Sequence, residues 1–246
     1  MLKYGSIDIG EIYYGSTAIK KAYVGSALVW PTKQPLPYDA ELEWIETDGE
    51  ASYIDTGIHP KWGLTESGGF DTSRVIVDFQ FMNSVESVVR TYQFAICGAR
   101  DGTGGTSYPF GIANNISYGK FITRFPNVVS TSVIPVDNNR HVVSMGTPDV
   151  IMDGTSVQTS STPAQRTPGS FMLGCSGDPS LYPIDGNTYH ASNVRIYSCQ
   201  IITDGVLVFD GIPVKVGTEG GIYDKVSKQV IHNRGGGTIT PGPDKV

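Results

Sequence analysis

The residue types that could do covalent chemistry are few and thinly spread. Cleaving a glycosidic bond with retention takes two carboxylates about 5–5.5 Å apart. On a strand, residues i, i+2 and i+4 share one face, so acids at alternate positions would supply the pair. In Ile76-Val77-Asp78-Phe79-Gln80 the centre is Asp78, but Ile76 and Gln80 hold the flanking positions. The stretch ELEWIE puts Glu41 and Glu43 on one face of a strand and Glu46 on the other. It follows a proline-rich stretch, where an edge strand with solvated charges is the usual case. The histidines His59, His141, His190 and His232 have no H-x-x-x-H spacing for zinc. His141 falls on a strand-like segment and reads as a packed, hydrogen-bonded residue. There is no Gly-x-Ser-x-Gly elbow. Gly102-Thr103-Gly104-Gly105-Thr106 lacks the lysine and following helix of a phosphate loop, and reads as a plain loop. No catalytic residue is expected.

Binding chemistry has more material. The segment SYPFGIANNISYGKFITRF interleaves aromatic side chains with Asn114, Asn115 and Arg124. Aromatic faces with a few placed amides and guanidiniums suit a glycan, and Tyr108, Asn114, Tyr118 and Arg124 are the candidate residues. The same alternation would equally pack a sandwich core, with Asn114-Asn115 making a hairpin turn. Both readings stay open.

The elements that must carry these residues are strands. The chain has 246 residues, with 30 Gly, 15 Pro, 13 Tyr and 17% charged residues. That composition fits many short strands and tight turns, and no amphipathic helix stands out. Strands are expected over Leu42–Glu46, Ser52–Thr56, Arg74–Met82, Tyr92–Cys97, Tyr108–Ala113, Ile116–Phe125 and Val128–Ile134. Further ones are His141–Met145, Val150–Asp153, Ser170–Leu173, Ser192–Thr203, Val206–Pro213 and Gly221–Asp224. Asp-Gly steps at 48–49, 101–102, 153–154 and 204–205 mark turns between them. In RVIVDFQF, Val75, Val77, Phe79 and Phe81 fall on one face and Arg74, Ile76, Asp78 and Gln80 on the other. This many short strands at this spacing imply a two-sheet antiparallel sandwich.

The first thirty residues differ. Gly-Ser recurs at 5–6, 15–16 and 25–26, followed at a fixed offset by Ile9, Ile19 and Val29. Ten residues is too short for a helical repeat. It suits a strand and a glycine turn, repeated as a small antiparallel β-meander. Three such strands bury too little to stand alone, so Tyr13, Ile19, Tyr23, Val29 and Trp30 are expected to meet a partner surface. The expected organisation is an arm over 1–30, a Pro-rich linker over 31–38 and a sandwich over 39–246.

Charge and cysteines exclude several classes. A net charge of −6 argues against a nucleic-acid partner. No apolar run of about 18 residues predicts a membrane span. MLKYGSIDIGEI has no secretory pattern, so synthesis without export is expected. Cys97, Cys175 and Cys199 are scattered and odd in number, which fits buried, unpaired thiols in a reducing compartment.

Three segments carry a family resemblance. RHVVSMGTPDVIMDGTSV resembles a hairpin of laminin-G-like and concanavalin A-like jelly-roll domains, and EWIETDGEASYIDTGI is similar to the first strand of that superfamily. NVRIYSCQIITDGVLVFDGIPVKVGTEGGIYDKVSKQVIHN resembles the closing strands of a branch found in surface and phage proteins of gut bacteria. The arm, IKKAYVGSALVW, is similar to a module preceding such domains in phage virion proteins. The resemblance implies a concanavalin A-like jelly roll and a virion setting, assembled in the bacterial host cytoplasm. Its glucanase branch uses an E-x-D-x-E strand, from which Ile76–Gln80 departs at both outer positions. Its laminin-G-like branch often takes calcium on loop carboxylates. Asp101, Asp178 and Asp185 are such loop residues, without a D-x-D-x-D-G cluster. No cofactor is expected, and calcium is left open. The expected function is a non-enzymatic virion structural protein, a fibre, tail or capsid appendage. Its arm would dock to other virion proteins or to identical arms in a trimer or dimer, and its jelly roll would face a host-surface glycan. The alternatives are a carbohydrate-binding module of a bacterial surface protein and a jelly-roll polysaccharide hydrolase.

Overall fold

In the computed structural model the described residues are arm segments 3–4, 7–8, 13–14, 17–18, 22–24 and 27–30, and residues 36–60, 62–64, 70–82, 93–99, 110–115, 119–125, 128–146, 149–159, 169–175 and 189–246. Among these residues every regular element is a strand. The chain divides into two compact units, Met1–Pro37 and Tyr38–Val246.

The first unit holds three antiparallel hairpins: β1 (Lys3–Tyr4) with β2 (Ile7–Asp8), β3 (Tyr13–Tyr14) with β4 (Thr17–Ala18), and β5 (Ala22–Val24) with β6 (Ala27–Trp30). Tyr4 pairs with Ile7, Tyr14 with Thr17 and Val24 with Ala27. Each pair brackets one Gly-Ser step, as a two-residue hairpin loop requires. The ten-residue unit is therefore a whole hairpin, where the sequence suggested one strand per repeat. Tyr13, Tyr23, Val29 and Trp30 lie on these strands, and Ile19 lies outside the described residues.

The second unit runs β7 (Ala40–Glu41), β8 (Ile45–Thr47), β9 (Ile54–Asp55), β10 (Trp62–Leu64), β11 (Phe70–Phe81), β12 (Gln93–Ala99), β13 (Phe110–Asn115), β14 (Lys120–Phe125) and β15 (Val128–Pro135). It continues with β16 (Arg140–Gly146), β17 (Asp149–Met152), β18 (Thr155–Thr159), β19 (Met172–Leu173), β20 (Tyr189–Ala191), β21 (Val194–Thr203), β22 (Val206–Val216), β23 (Glu219–Asp224), β24 (Gln229–Ile231) and β25 (Ile239–Pro241). The larger sheet has the order β18-β17-β16-β11-β21-β22-β23-β24, with β7, β8, β10 and β25 at its margins. The smaller sheet has the order β15-β14-β13-β12-β19-β9, and β20 lies parallel to β12. All other pairings are antiparallel, and the unit is a two-sheet sandwich of the jelly-roll kind. Strands β10, β18, β20, β24 and β25 escaped the sequence because three to five residues carry too little periodicity. Asn114-Asn115 is not a turn: both residues lie in β13, opposite Phe121 and Lys120.

One buried cluster joins the sheets. Val75, Val77, Phe79 and Phe81 of β11 point into it, as the alternation predicts, beside Val143, Met145, Ile196, Cys199 and Phe209. The smaller sheet contributes Ile96, Cys97, Ile112 and Phe121. Phe79 and Phe121 meet edge to face across the core, with ring centroids 5.9 Å apart at 89°. His141 completes the stack, 5.3 Å from Phe121 and 5.9 Å from Phe79. It is 5% exposed, and its Nδ1 lies 2.6 Å from Asp153 Oδ2 and its Nε2 2.9 Å from Asp137 Oδ1. His141 thus clamps a loop and a turn to the core, a structural role. Cys97, Cys175 and Cys199 are buried and form no disulfide. Burial pushes the Cys97 and Cys199 thiols well up.

Turn chemistry fixes the register. Asp153-Gly154 and Asp204-Gly205 both have positive φ, 50° and 78° in one and 52° and 76° in the other. They close two-residue loops between Met152 and Thr155 and between Thr203 and Val206, the geometry Asp-Gly favours. Asp224 accepts the amide protons of Asp210, Val226 and Ser227, shaping the turn from β23 to β24. Asp48 accepts from the amides of Glu50, Ala51 and Ser52, from the Ser52 hydroxyl and from Thr238 N, tying the unit's start to its end. Nearby, Asn233 accepts from the amides of Tyr53 and Gly235.

Two predictions come from these bonds. Burial raises the Asp48 carboxyl, but the amides of Glu50, Ser52 and Thr238 outweigh it and bring it down to about 2. Burial also raises Asp224, and the amides of Asp210, Ser227 and Val226 with the Ser227 hydroxyl hold it below the ordinary range. A carboxyl depressed on folding stabilises above its unfolded value of about 3.9 and loses that contribution as pH falls toward its folded value. Urea unfolding midpoints should therefore drop between about pH 4 and pH 2. Asp48→Asn should flatten that drop; an equally steep curve would show that Asp48 is not its source. Secondly, His141→Leu keeps the core filled but leaves Asp137 and Asp153 without their shared hydrogen-bond partner. Losing the ring nitrogens that both carboxyls meet should cost about 1–3 kcal/mol in urea unfolding, whereas an unchanged midpoint would make the ring mere filler.

Candidate functional site

The outward face of the larger sheet gathers the chain's charged and aromatic side chains. A row crosses the strands in register: Arg140 on β16 opposes Gln80 on β11, Gln80 opposes Arg195 on β21, and Arg195 opposes Glu46 on β8. Outward positions on neighbouring strands lie side by side, so these side chains form one band.

A bulge adds an aromatic ring to it. Along β11 and β21, Asp78 pairs with Ser198 but Phe79 pairs with Ile196, leaving Tyr197 as the extra residue. Ile196 and Cys199 both face the core, and Tyr197 lies on the half-buried outer side. Its hydroxyl donates to Gln80 Oε1 at 2.7 Å, and Gln80 Nε2 donates to Asn138 O at 2.7 Å. The Arg140 guanidinium lies 3.9 Å over the Tyr197 ring and grips Asp78 with two bonds, 2.7 Å from Nε and 2.6 Å from Nη2. That bond to Asp78 holds the guanidinium above its ordinary value.

One strand over, the arrangement repeats. The Arg195 guanidinium sits 4.1 Å over the Trp44 ring, and its Nε donates to Glu46 Oε2 at 2.7 Å. Gly242 comes so close to Trp44 that a Cβ there would lie 2.6 Å from the ring. The band thus consists of two aromatic–arginine–carboxylate sets, Tyr197–Arg140–Asp78 and Trp44–Arg195–Glu46.

Asp78 is only 15% exposed, and both its oxygens are taken by Arg140, which is itself 56% exposed. Glu46 accepts one bond, on Oε2, from Arg195 Nε. A retaining dyad needs two carboxyls flanking one bond; here Asp78 is paired with Arg140 and Glu46 with Arg195. What the band presents outward is guanidinium edges, amides and ring surface.

The sequence candidates fall in different places. Asp78 and Glu46 lie in the band. Glu41 accepts a bond from the Tyr38 hydroxyl at 3.1 Å, apart from Asp78. The face assignment for ELEWIE changes, because the strand breaks between β7 and β8, with Leu42 and Ile45 both buried. Glu43 then lies near enough to raise the Arg140 guanidinium, on the side where Glu46 meets Arg195. Of the glycan candidates, Tyr108 and Tyr118 lie outside the described residues. Asn114 pairs with Phe121 and Arg124 with Gly111, three positions apart, about 10 Å along the strands. Asp101, Asp178 and Asp185 also lie outside the described residues. Among the described residues no three His, Cys, Asp or Glu side chains are grouped to hold a metal ion. Trp44, Gln80, Arg140, Arg195 and Tyr197 were missed. The outward alternation of β11 marked Gln80, but the bulge that exposes Tyr197 has no sequence signal of its own.

No protein-family model matches this chain, and no curated protein matches it. Among solved structures it is similar to the sialidase of Trypanosoma rangeli with 2,3-difluorosialic acid as covalent intermediate, at 11% identity and a TM-score of 0.39. It is also similar to that sialidase with the inhibitor DANA, at 13% identity and a TM-score of 0.40. Each match covers 74% of this chain and 33% of the other, so the chain spans about a third of those structures' length.

Proposed function

We propose that this chain is a non-enzymatic structural protein of a phage-like particle. Its arm attaches it to the assembly, and its sandwich is displayed as a fibre, tail or capsid appendage that contacts host-surface glycans. The carrying observation is the arm. Three hairpins, none with more than two strands, bury too little surface to persist alone in water. A segment that must be completed by another surface is an attachment device. The prolines at 31, 35 and 37 then suit a stiff spacer.

The outer band supports the second half of the proposal. Its carboxylates are engaged by arginines, which favours contact over bond cleavage, and its guanidiniums, amides and rings suit sugar hydroxyls. Under this proposal the protein is made in the host cytoplasm and leaves with the particle.

The full chain should copurify with particles. Replacing Tyr13, Tyr23 and Trp30 together by Ser should cut its occupancy at least about tenfold, since those positions carry the docking apolar area. No reducing sugar should be released from polysaccharide. A soluble chain that binds glycans but never joins particles would make it a carbohydrate-binding module. Sugar release abolished by Asp78→Asn would make it a hydrolase.

A further inference from the structure

We propose that the partner of the arm is the arm of a second copy of this chain, matched in steps of ten residues. The inference rests on the attachment role proposed above and names what completes it. The closing pairs, Tyr4 with Ile7, Tyr14 with Thr17 and Val24 with Ala27, recur at a constant step of ten. Each hairpin is a two-stranded sheet, so among the described residues both outer backbone edges remain open for strand addition.

The three hairpins hang on one backbone and cannot slide independently. A surface that completes all three must therefore offer edges at the same spacing. The sandwich does not, since its strands range from 2 to 12 residues and its hairpins follow no fixed step. A second arm does, because it repeats the same unit. Laid alongside, it makes one contact three times, and three weak pairings joined by one backbone add their effect.

Charge and chain chemistry agree. Residues 1–30 hold Lys3, Lys20 and Lys21 against Asp8 and Glu11, a net +1, although the whole chain carries −6. Two arms can thus approach without the mutual repulsion of the acidic remainder. Beyond β6, Pro31 has no N–H to extend the ladder, which ends the contact at Trp30.

The step of ten is what the test targets. Sedimentation equilibrium of the full chain across a wide concentration range should show reversible self-association. Deleting residues 11–20 removes one whole unit and keeps the frame, so this variant should still associate, and mix with the full chain, at least about tenfold more weakly. Deleting 11–15 removes half a unit, so its two remaining hairpins no longer match the ten-residue step of the full chain, and this variant should fail to mix with it. A full chain that stays monomeric would overturn the inference, while copurification with particles would still decide the attachment role separately. Equal mixing of the two deletion variants with the full chain would also overturn it, because the ten-residue step would then not be what is recognised.

Discussion

Strand β21 must satisfy the core twice. Val194 and Ile196 face inward at one end, Cys199 and Ile201 at the other, and the step from 196 to 199 is odd. Strict alternation cannot place both pairs in the core, since a slip of one residue turns every later side chain to the opposite face. The extra residue at Tyr197 restores the phase, and the ladder with β11 continues on both sides of it. The outer band is a consequence. Because the bulge puts Tyr197 and Ser198 together on the outside, the ring falls within reach of Gln80 and beneath Arg140. Core packing and surface chemistry are set by one residue.

The two arginine sets add little to stability by charge alone, since exposed ion pairs contribute about 0–1 kcal/mol. Their effect is positional. Arg140 spends one edge, with two bonds, on Asp78 and its flat face on Tyr197, so three side chains from three strands hold one another in place. Arg195 lies over Trp44 and donates one bond, from Nε, to Glu46. Such a surface is pre-ordered, and a partner meeting it bears less of the entropy of fixing side chains.

How much was legible follows from the range of each interaction. The inward row of β11 and the Asp-Gly turns at 153–154 and 204–205 are set by neighbours along the chain, and each stands where the sequence puts it. In the closing segment, too, residues do local work: Asp224 shapes a turn, and Cys199 fills the core. The band was not legible. Asp78 and Arg140 are 62 residues apart and Glu46 and Arg195 are 149 apart, so their meeting depends on sheet order. ELEWIE misled for a local reason: two consecutive inward residues, Leu42 and Ile45, stand three apart and break the strand that alternation assumes.

The arm shows a different limit. A ten-residue period with one glycine turn fits a strand per repeat or a hairpin per repeat, and only the pairing partner separates them. The observed pairing is wholly local, within six residues in the first two units and nine in the third. Local hairpins form quickly, in about 1–10 μs, but two strands alone are only marginally stable. The arm therefore has its shape written in each repeat and its stability left to whatever adds the next strand. Its order must then rise with the concentration of that partner, by the mass action that links binding to folding. The sandwich, with a core shared between two sheets, carries no such dependence. One chain thus joins a unit with a core between two sheets to one that, under the proposal above, a second arm completes.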